Sequence, residues 1–189
     1  MHVHLTTARL TLRRFTAADE DNLVSLNSDP EVMRYITGGQ ATSREEVREE
    51  IIPFHLATYD KYPGFGTWAA DDIGTGQFLG WLHLRPRRSD GVIDLGYRLR
   101  RCTWGHGYAT EGSRALIDNG FTEHGIDRVA ATTMTVNFAS RRVMEKCGLT
   151  YIRTYFDDGQ PAIVGADQGY VEYQLTRAEW QAASWPRIT

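Results

Sequence analysis

Cysteine is scarce in this sequence, long apolar runs are missing, and neither sign of charge dominates. Only Cys102 and Cys147 occur among 189 residues, and neither stands beside a histidine at metal-ligand spacing, so no zinc pattern is present and a reducing cytoplasm fits. Twenty-one Lys and Arg against 24 Asp and Glu leave a net charge of −3, without the basic surplus of a general nucleic-acid binder. No window approaches the ~20 apolar residues needed to cross a bilayer. The opening Met1-His2-Val3-His4-Leu5 has no basic-then-apolar leader architecture. A cytoplasmic protein is therefore expected, with no direct nucleic-acid partner, no membrane partner and no metal. Internal repeats, low-complexity segments and Pro/Gly/Ser-rich linkers are also missing, so residues 1–189 are expected to form a single domain.

What is present reads as alternating strands and helices. Arg9-Leu10-Thr11-Leu12-Arg13-Arg14-Phe15 has the two-residue period of a half-buried strand. Thr16 with Asp19 opens a helix that Asp29-Pro30 ends, and Glu31 begins another short turn. Ser43-Arg44-Glu45-Glu46 fits a capping box before a helix over 44–59, bent at Pro53. Segments 65–71, 77–84 and 92–99 read as three strands joined by short turns, hence an antiparallel meander. Helices are predicted over 108–123 and 139–146, closed by Gly125 and Gly148, with strands over 128–136, 151–156 and 169–175. The fold class is α/β, with a mixed, mostly antiparallel sheet.

Within this pattern Gly105-His106-Gly107-Tyr108-Ala109-Thr110-Glu111 lies between a strand and a helix. Two glycines let the backbone turn tightly and gather N–H groups, and the helix start adds unpaired donors and its positive dipole end. That is chemistry for a pyrophosphate; chain geometry alone also yields such turns. Two arginine clusters, Arg85, Arg87, Arg88 and Arg98, Arg100, Arg101, read either as solvated strand ends or as further phosphate contacts. Asn137 opens the helix that carries Ser140, Arg141 and Arg142, so two strand-to-helix turns face one crevice.

Taken in order, Arg9-Leu10-Thr11-Leu12-Arg13, Ser28-Asp29-Pro30-Glu31-Val32-Met33, Leu95-Gly96-Tyr97, the glycine turn with Trp104 before it, Asn137 with Ser140, and Glu145-Lys146-Cys147-Gly148-Leu149 resemble the GNAT N-acetyltransferases. The likeness extends to the Rim-type branch, which acetylates ribosomal-protein N-termini. It covers nearly the whole chain and implies helices on both faces of the sheet, with acetyl-CoA in a V-shaped cleft. It also implies that the backbone of Tyr97, Arg98 and Leu99 pairs with the pantetheine amides. Arg101, Trp104, Gly105, His106, Gly107, Tyr108, Ala109 and Thr110 would surround the pyrophosphate, with Asn137, Ser140 and Arg142 completing the cofactor site. Glu111 is expected to stabilise the loop and helix start.

The resemblance has gaps. Cys102 stands where the family's loop often has Gln or Arg, Met144 replaces the tyrosine that protonates the leaving thiolate in many members, and the glutamate often found shortly after motif B is missing beyond Gly148. By similarity to the Rim-type branch Ser140 takes the thiolate role, with Asn137 beside it; capping its own helix is the alternative. Asp94 is the first candidate for a base that works through water, and an ion pair with Arg98 on the same strand face is its alternative. His83 on the neighbouring strand is the other candidate. Tyr35 and His83 are placed on the acceptor side, where Phe54, Tyr59, Phe65 and Trp68 supply either pocket or core. The acceptor is a protein N-terminus or a small-molecule amine, and an exposed sheet edge near the C-terminus suits a homodimer. A decayed acyl-CoA sensor or structural partner remains the alternative function.

Overall fold

The computed structural model describes residues 2–87, 92–156 and 163–183; Arg88 of the first arginine cluster lies outside them. Eight strands form one sheet in the order β1-β2-β3-β4-β5-β6-β8-β7. β1 (Val3–Thr6) and β2 (Leu10–Arg14) make an edge hairpin, followed by the predicted antiparallel meander of β3 (Gly66–Asp72), β4 (Phe78–Pro86) and β5 (Ile93–Leu99). α5 (Tyr108–Glu123) leads to β6 (Arg128–Met134), which joins β5 in parallel. α6 (Phe138–Lys146), β7 (Thr150–Tyr155) and β8 (Tyr170–Thr176) follow, and α7 (Arg177–Ala182) closes the described chain.

Between β2 and β3 lie α1 (Glu20–Asn27), α2 (Pro30–Met33) and α3 (Arg44–Glu46), then a π-helical turn over Val47–Ile51 and α4 (Ile52–Lys61). The Asp29 carboxylate accepts from the Glu31 N–H, a cap the sequence pattern does not single out, and the Ser43 hydroxyl accepts from the Glu46 N–H, the hydroxyl half of the expected capping box. The bend expected at Pro53 takes the form of the π-helical turn, which leaves proline within the first turn of α4, where its missing N–H is least felt. β1 and α7 escape the sequence pattern because four and six residues are too short to show a period. β1 is held from outside, by pairing with β2 and by the His4 ring stacked 3.8 Å from Trp68.

Strand alternation separates two cores. Leu12, Trp68, Leu82, Leu84 and Leu95 join Leu116, Ile117 and Phe121 of α5, whereas Phe15, Ala69 and Phe78 join Leu23, Leu26, Val47 and Ile52 of the α1–α4 layer. Full burial of each large apolar side chain is worth ~1.5–3 kcal/mol, so helices are held on both faces of the sheet. The feature that positions the site is a defect in the middle. β5 and β6 pair only at Ile93↔Val129 and Asp94↔Ala130. Beyond Asp94 the two strands diverge, and among the described residues no strand pairs with the β6-facing edge of residues 95–99. The result is a V-shaped gap in the sheet.

Candidate active site

The glycine turn stands at the mouth of this gap. Gly105 and Gly107 adopt φ of +79° and +83°, the left-handed region that other residues enter only with strain. The N–H groups of Thr103 and Trp104 close a short turn on Arg100 and Arg101, and that of Glu111 bonds back to Gly107. Between them, the amides of Gly105, His106, Gly107, Tyr108, Ala109 and Thr110 find no acceptor among the described residues. Apart from the adjoining residues, no described atom lies within 4 Å of the point where a Cβ on Gly105 would sit. Six consecutive unused donors beside a helix start fit a multiply charged phosphate without any net basic charge.

Glu111 fixes this turn. Its carboxylate accepts from Thr7 Oγ1 at 2.6 Å, from the Arg9 amide at 2.9 Å and from Arg9 Nε at 2.7 Å. Arg9 in turn donates to the His106 carbonyl at 3.0 Å and covers the Tyr108 ring at 4.4 Å. Trp104 donates its indole N–H to the Leu99 carbonyl at 2.9 Å, and Arg101 is exposed.

Across the gap β5 meets α6. The Tyr97 hydroxyl donates to the Ser140 carbonyl at 2.8 Å and lies 3.0 Å from Ser140 Oγ; burial pushes its pKa well above that of an ordinary phenol. Asn137 caps α6 by accepting from the Ser140 amide at 3.2 Å and donates to Thr133 Oγ1 at 3.1 Å. Arg142 is exposed, whereas Arg141 is tied to Tyr173 and the Thr135 carbonyl. Met144 is packed into the core, so the residue standing in for the family's tyrosine serves the fold.

The opposite face of β4 and β5 carries side-chain chemistry. Register pairs Trp81 with Arg98, His83 with Gly96 and Arg85 with Asp94. A Cβ on Gly96 would stand 2.5 Å from the His83 ring, so the glycine of Leu95-Gly96-Tyr97 makes room for the imidazole. His83 Nε2 lies 3.1 Å from Asp94 Oδ2, a contact that places the proton on Nε2 and leaves Nδ1 as an acceptor. Burial lowers the His83 pKa below the ordinary 6.5, with Asp94 acting against the shift, so the ring is neutral at neutral pH. Arg87 stands 3.7 Å from Asp94 and 3.5 Å from Glu172, and Glu172 is 2.7 Å from Arg153.

The Asp94–Arg98 ion pair, the alternative to a base at Asp94, is not formed among the described residues. The His83 ring over Gly96 takes the space between them, and Arg98 turns to Asn27 Oδ1 at 2.6 Å and to the face of Trp81. A cavity of about 430 Å³ opens on this face, lined by Asn27, Phe54, His55, Trp81, His83 and Arg98 among others. Tyr35 does not line it and instead lies under the Arg34 guanidinium. Of the other aromatics, Phe54 lines the cavity, Tyr59 and Trp68 are core, and Phe65 packs on His124. Asn27, His55, Glu172 and the Tyr97 hydroxyl escaped the sequence reading. Their only signal is strand register and helix packing, which a single strand's period does not contain.

The acetyltransferase (GNAT) domain model matches residues 9–150. An Aspergillus fumigatus protein named FsC-acetyl coenzyme A-N(2)-transacetylase is 36% identical over 98% of this chain and 81% of its own length. The uncharacterized protein YkkB of Bacillus subtilis is 34% identical over 88% of this chain and 96% of its own. Among solved structures, a GNAT-family acetyltransferase from Bacillus anthracis superposes with a TM-score of 0.76 at 22% identity, covering 94% of this chain and 99% of that one.

Proposed function

This chain belongs to the GNAT acetyltransferase family and is an acetyl-CoA-dependent acyltransferase; we propose that it acetylates a primary amine by direct attack within a ternary complex. The observation that carries this reading is the run of six unpartnered amides at 105–110 beside the unpaired edge of β5. The amides suit the pyrophosphate of CoA, and the free edge of residues 97–99 suits its pantetheine amides. Asn137 retains a lone pair and one N–H for that arm after capping its helix.

The acceptor enters from the β4–β5 face. Its neutral nitrogen attacks the thioester carbonyl; the C–N bond forms, the C–S bond breaks, and the amine proton passes to His83 Nδ1, directly or through one water. Asp94 orients the imidazole and stabilises its charged form, so the two candidate bases act as one pair. The departing sulfur takes its stabilising hydrogen bond from Ser140, the serine shared with the Rim-type branch. Tyr97, kept protonated by burial, holds that residue in place by donating to its carbonyl. An α-amine with a pKa near ~8 is partly neutral at pH 7, whereas a lysine amine near ~10.4 is almost wholly charged, so an α-amine suits this site better.

Free thiol released from acetyl-CoA with a panel of amines and peptides tests the reading. CoA release stoichiometric with amine acetylation is expected, and binding without turnover across the panel overturns it. Ser140→Ala is expected to lower kcat about 10- to 100-fold, the worth of a hydrogen bond to a charged group, with CoA affinity by calorimetry held. Unchanged turnover removes Ser140 from the mechanism.

A further inference from the structure

Arg98 is a half-buried cation with no counterion among the described residues. Its guanidinium donates to the neutral Asn27 amide, lies 5.1 Å from the centre of the Trp81 ring, and keeps an inaccessible Nε without an acceptor. Among the described residues no carboxylate pairs with it. Asp94, on the same face of β5, is engaged by His83 and Arg87, and Glu172 by Arg87 and Arg153. Glu50 borders the same cavity and forms no ion pair with Arg98. Desolvation alone pulls the Arg98 pKa down to about 10, the mark of a charge held where it costs free energy. Such a cost persists where a ligand offsets it.

We propose that Arg98 receives a carboxylate of the acceptor, so that the acceptor is an amino acid or another small amine carrying a carboxylate near its nitrogen. The inference rests on the acetyltransferase reading above and adds the substrate class. Arg98 and the Gly96–His83 pair are two residues apart along β5 and share one strand face, roughly 7 Å at the rise of a strand. A single short molecule therefore reaches the base with its nitrogen and the guanidinium with its carboxylate. A guanidinium is well suited to this, since its fork matches a carboxylate in two parallel hydrogen bonds. The cavity of about 430 Å³ suits a ligand of that size. Polyamines and aminoglycosides fit less well: two arginines, Arg98 and Arg85, against one carboxylate, Glu50, line the cavity, and Asp94 and Glu172 are already paired with arginines.

The test compares amino acids with their own carboxamides, and adds spermidine as a polycation, in CoA-release assays and in calorimetric titrations of the CoA-saturated protein. The carboxamide's amine is less basic and hence more often neutral, so the comparison is weighted against the proposal. The acid-to-amide ratio of kcat/KM is expected to be at least tenfold, to fall towards one in Arg98→Gln and to recover partly in Arg98→Lys. A purely structural arginine lowers both substrates alike and leaves the ratio unchanged. A ratio of one or less in the native protein, a ratio untouched by Arg98→Gln, or a preference for spermidine overturns the proposal and leaves acetyl transfer standing. If no amine releases CoA, acetyl transfer is what fails; tighter calorimetric binding of acid over amide, lost in Arg98→Gln, then still supports the carboxylate site, and equal or absent binding overturns it.

Discussion

The two sides of the cleft are made of different material. On the side proposed for the donor the chemistry is backbone: six amides at 105–110, two left-handed glycines, and a free strand edge. On the acceptor side it is side chains, with His83, Asp94, Arg98, Arg85 and His55 on one face of β4 and β5 or on the helices above it. Backbone donors bind a phosphate ligand with little dependence on which side chains surround them, so that side tolerates Cys102 and Met144 in unexpected places. The acceptor side has no such tolerance, because each function there depends on one side chain and its neighbours.

The largest effect that separates the two sides is expected at His83. His83→Gln removes the proposed base and should lower kcat/KM for the amine by at least about 10²-fold, the usual contribution of a positioned acid or base, with CoA affinity within about threefold. In the native protein the acid limb of kcat/KM should fall below pH 6.5, because burial lowers the imidazole pKa from that value. A loss smaller than about fivefold, or an acid limb unchanged in the variant, places the base elsewhere.

Gly107→Val attacks the other side. A branched residue at φ of +83° costs ~1–2 kcal/mol in the left-handed region, which appears as a 5- to 30-fold rise in the Kd of CoA if the turn must hold this shape to bind. The acid-to-amide preference should not move. A change in acceptor preference with unchanged CoA affinity would erase the division between the two sides.

The same division explains what was legible in the sequence. The donor side was readable because glycine at 105 and 107 is a backbone requirement written at fixed spacing, followed by a helix that begins at Tyr108 as predicted. The meander was readable because three strand-length apolar runs are joined by short, turn-rich connections, although only β5 alternates. The acceptor side was only half readable: Asp94 and His83 were each identified, but their pairing depends on a β4–β5 register that puts His83 over Gly96. Arg98 was counted with a phosphate cluster and with Asp94, and the fold sends it to Asn27 on α1 instead. Partners 71 residues apart leave no local pattern.

The smallest expected effect concerns protons. His55 lines the acceptor cavity, stacks 5.0 Å from Phe15, and has its pKa lowered to about 3 by desolvation first, then by the charges of Arg85, His83 and Arg98. The unfolded chain takes up this proton near pH 6.5 and the folded chain does not, so stability from this site is complete above pH 6.5 and is lost as pH falls towards 3. Between pH 8 and pH 6 the loss is about 0.8 kcal/mol from this group, read from denaturant midpoints. His55→Phe keeps a stacked ring without a titrating nitrogen and should remove that share of the slope. Arg98 is the smallest of those charges and a folded pKa near 3 lies far below this window, so neither a saturating amino acid on Arg98 nor CoA on the proposed donor side should change the slope between pH 8 and pH 6. A slope that flattens with CoA would mean that the two sides are electrostatically one site.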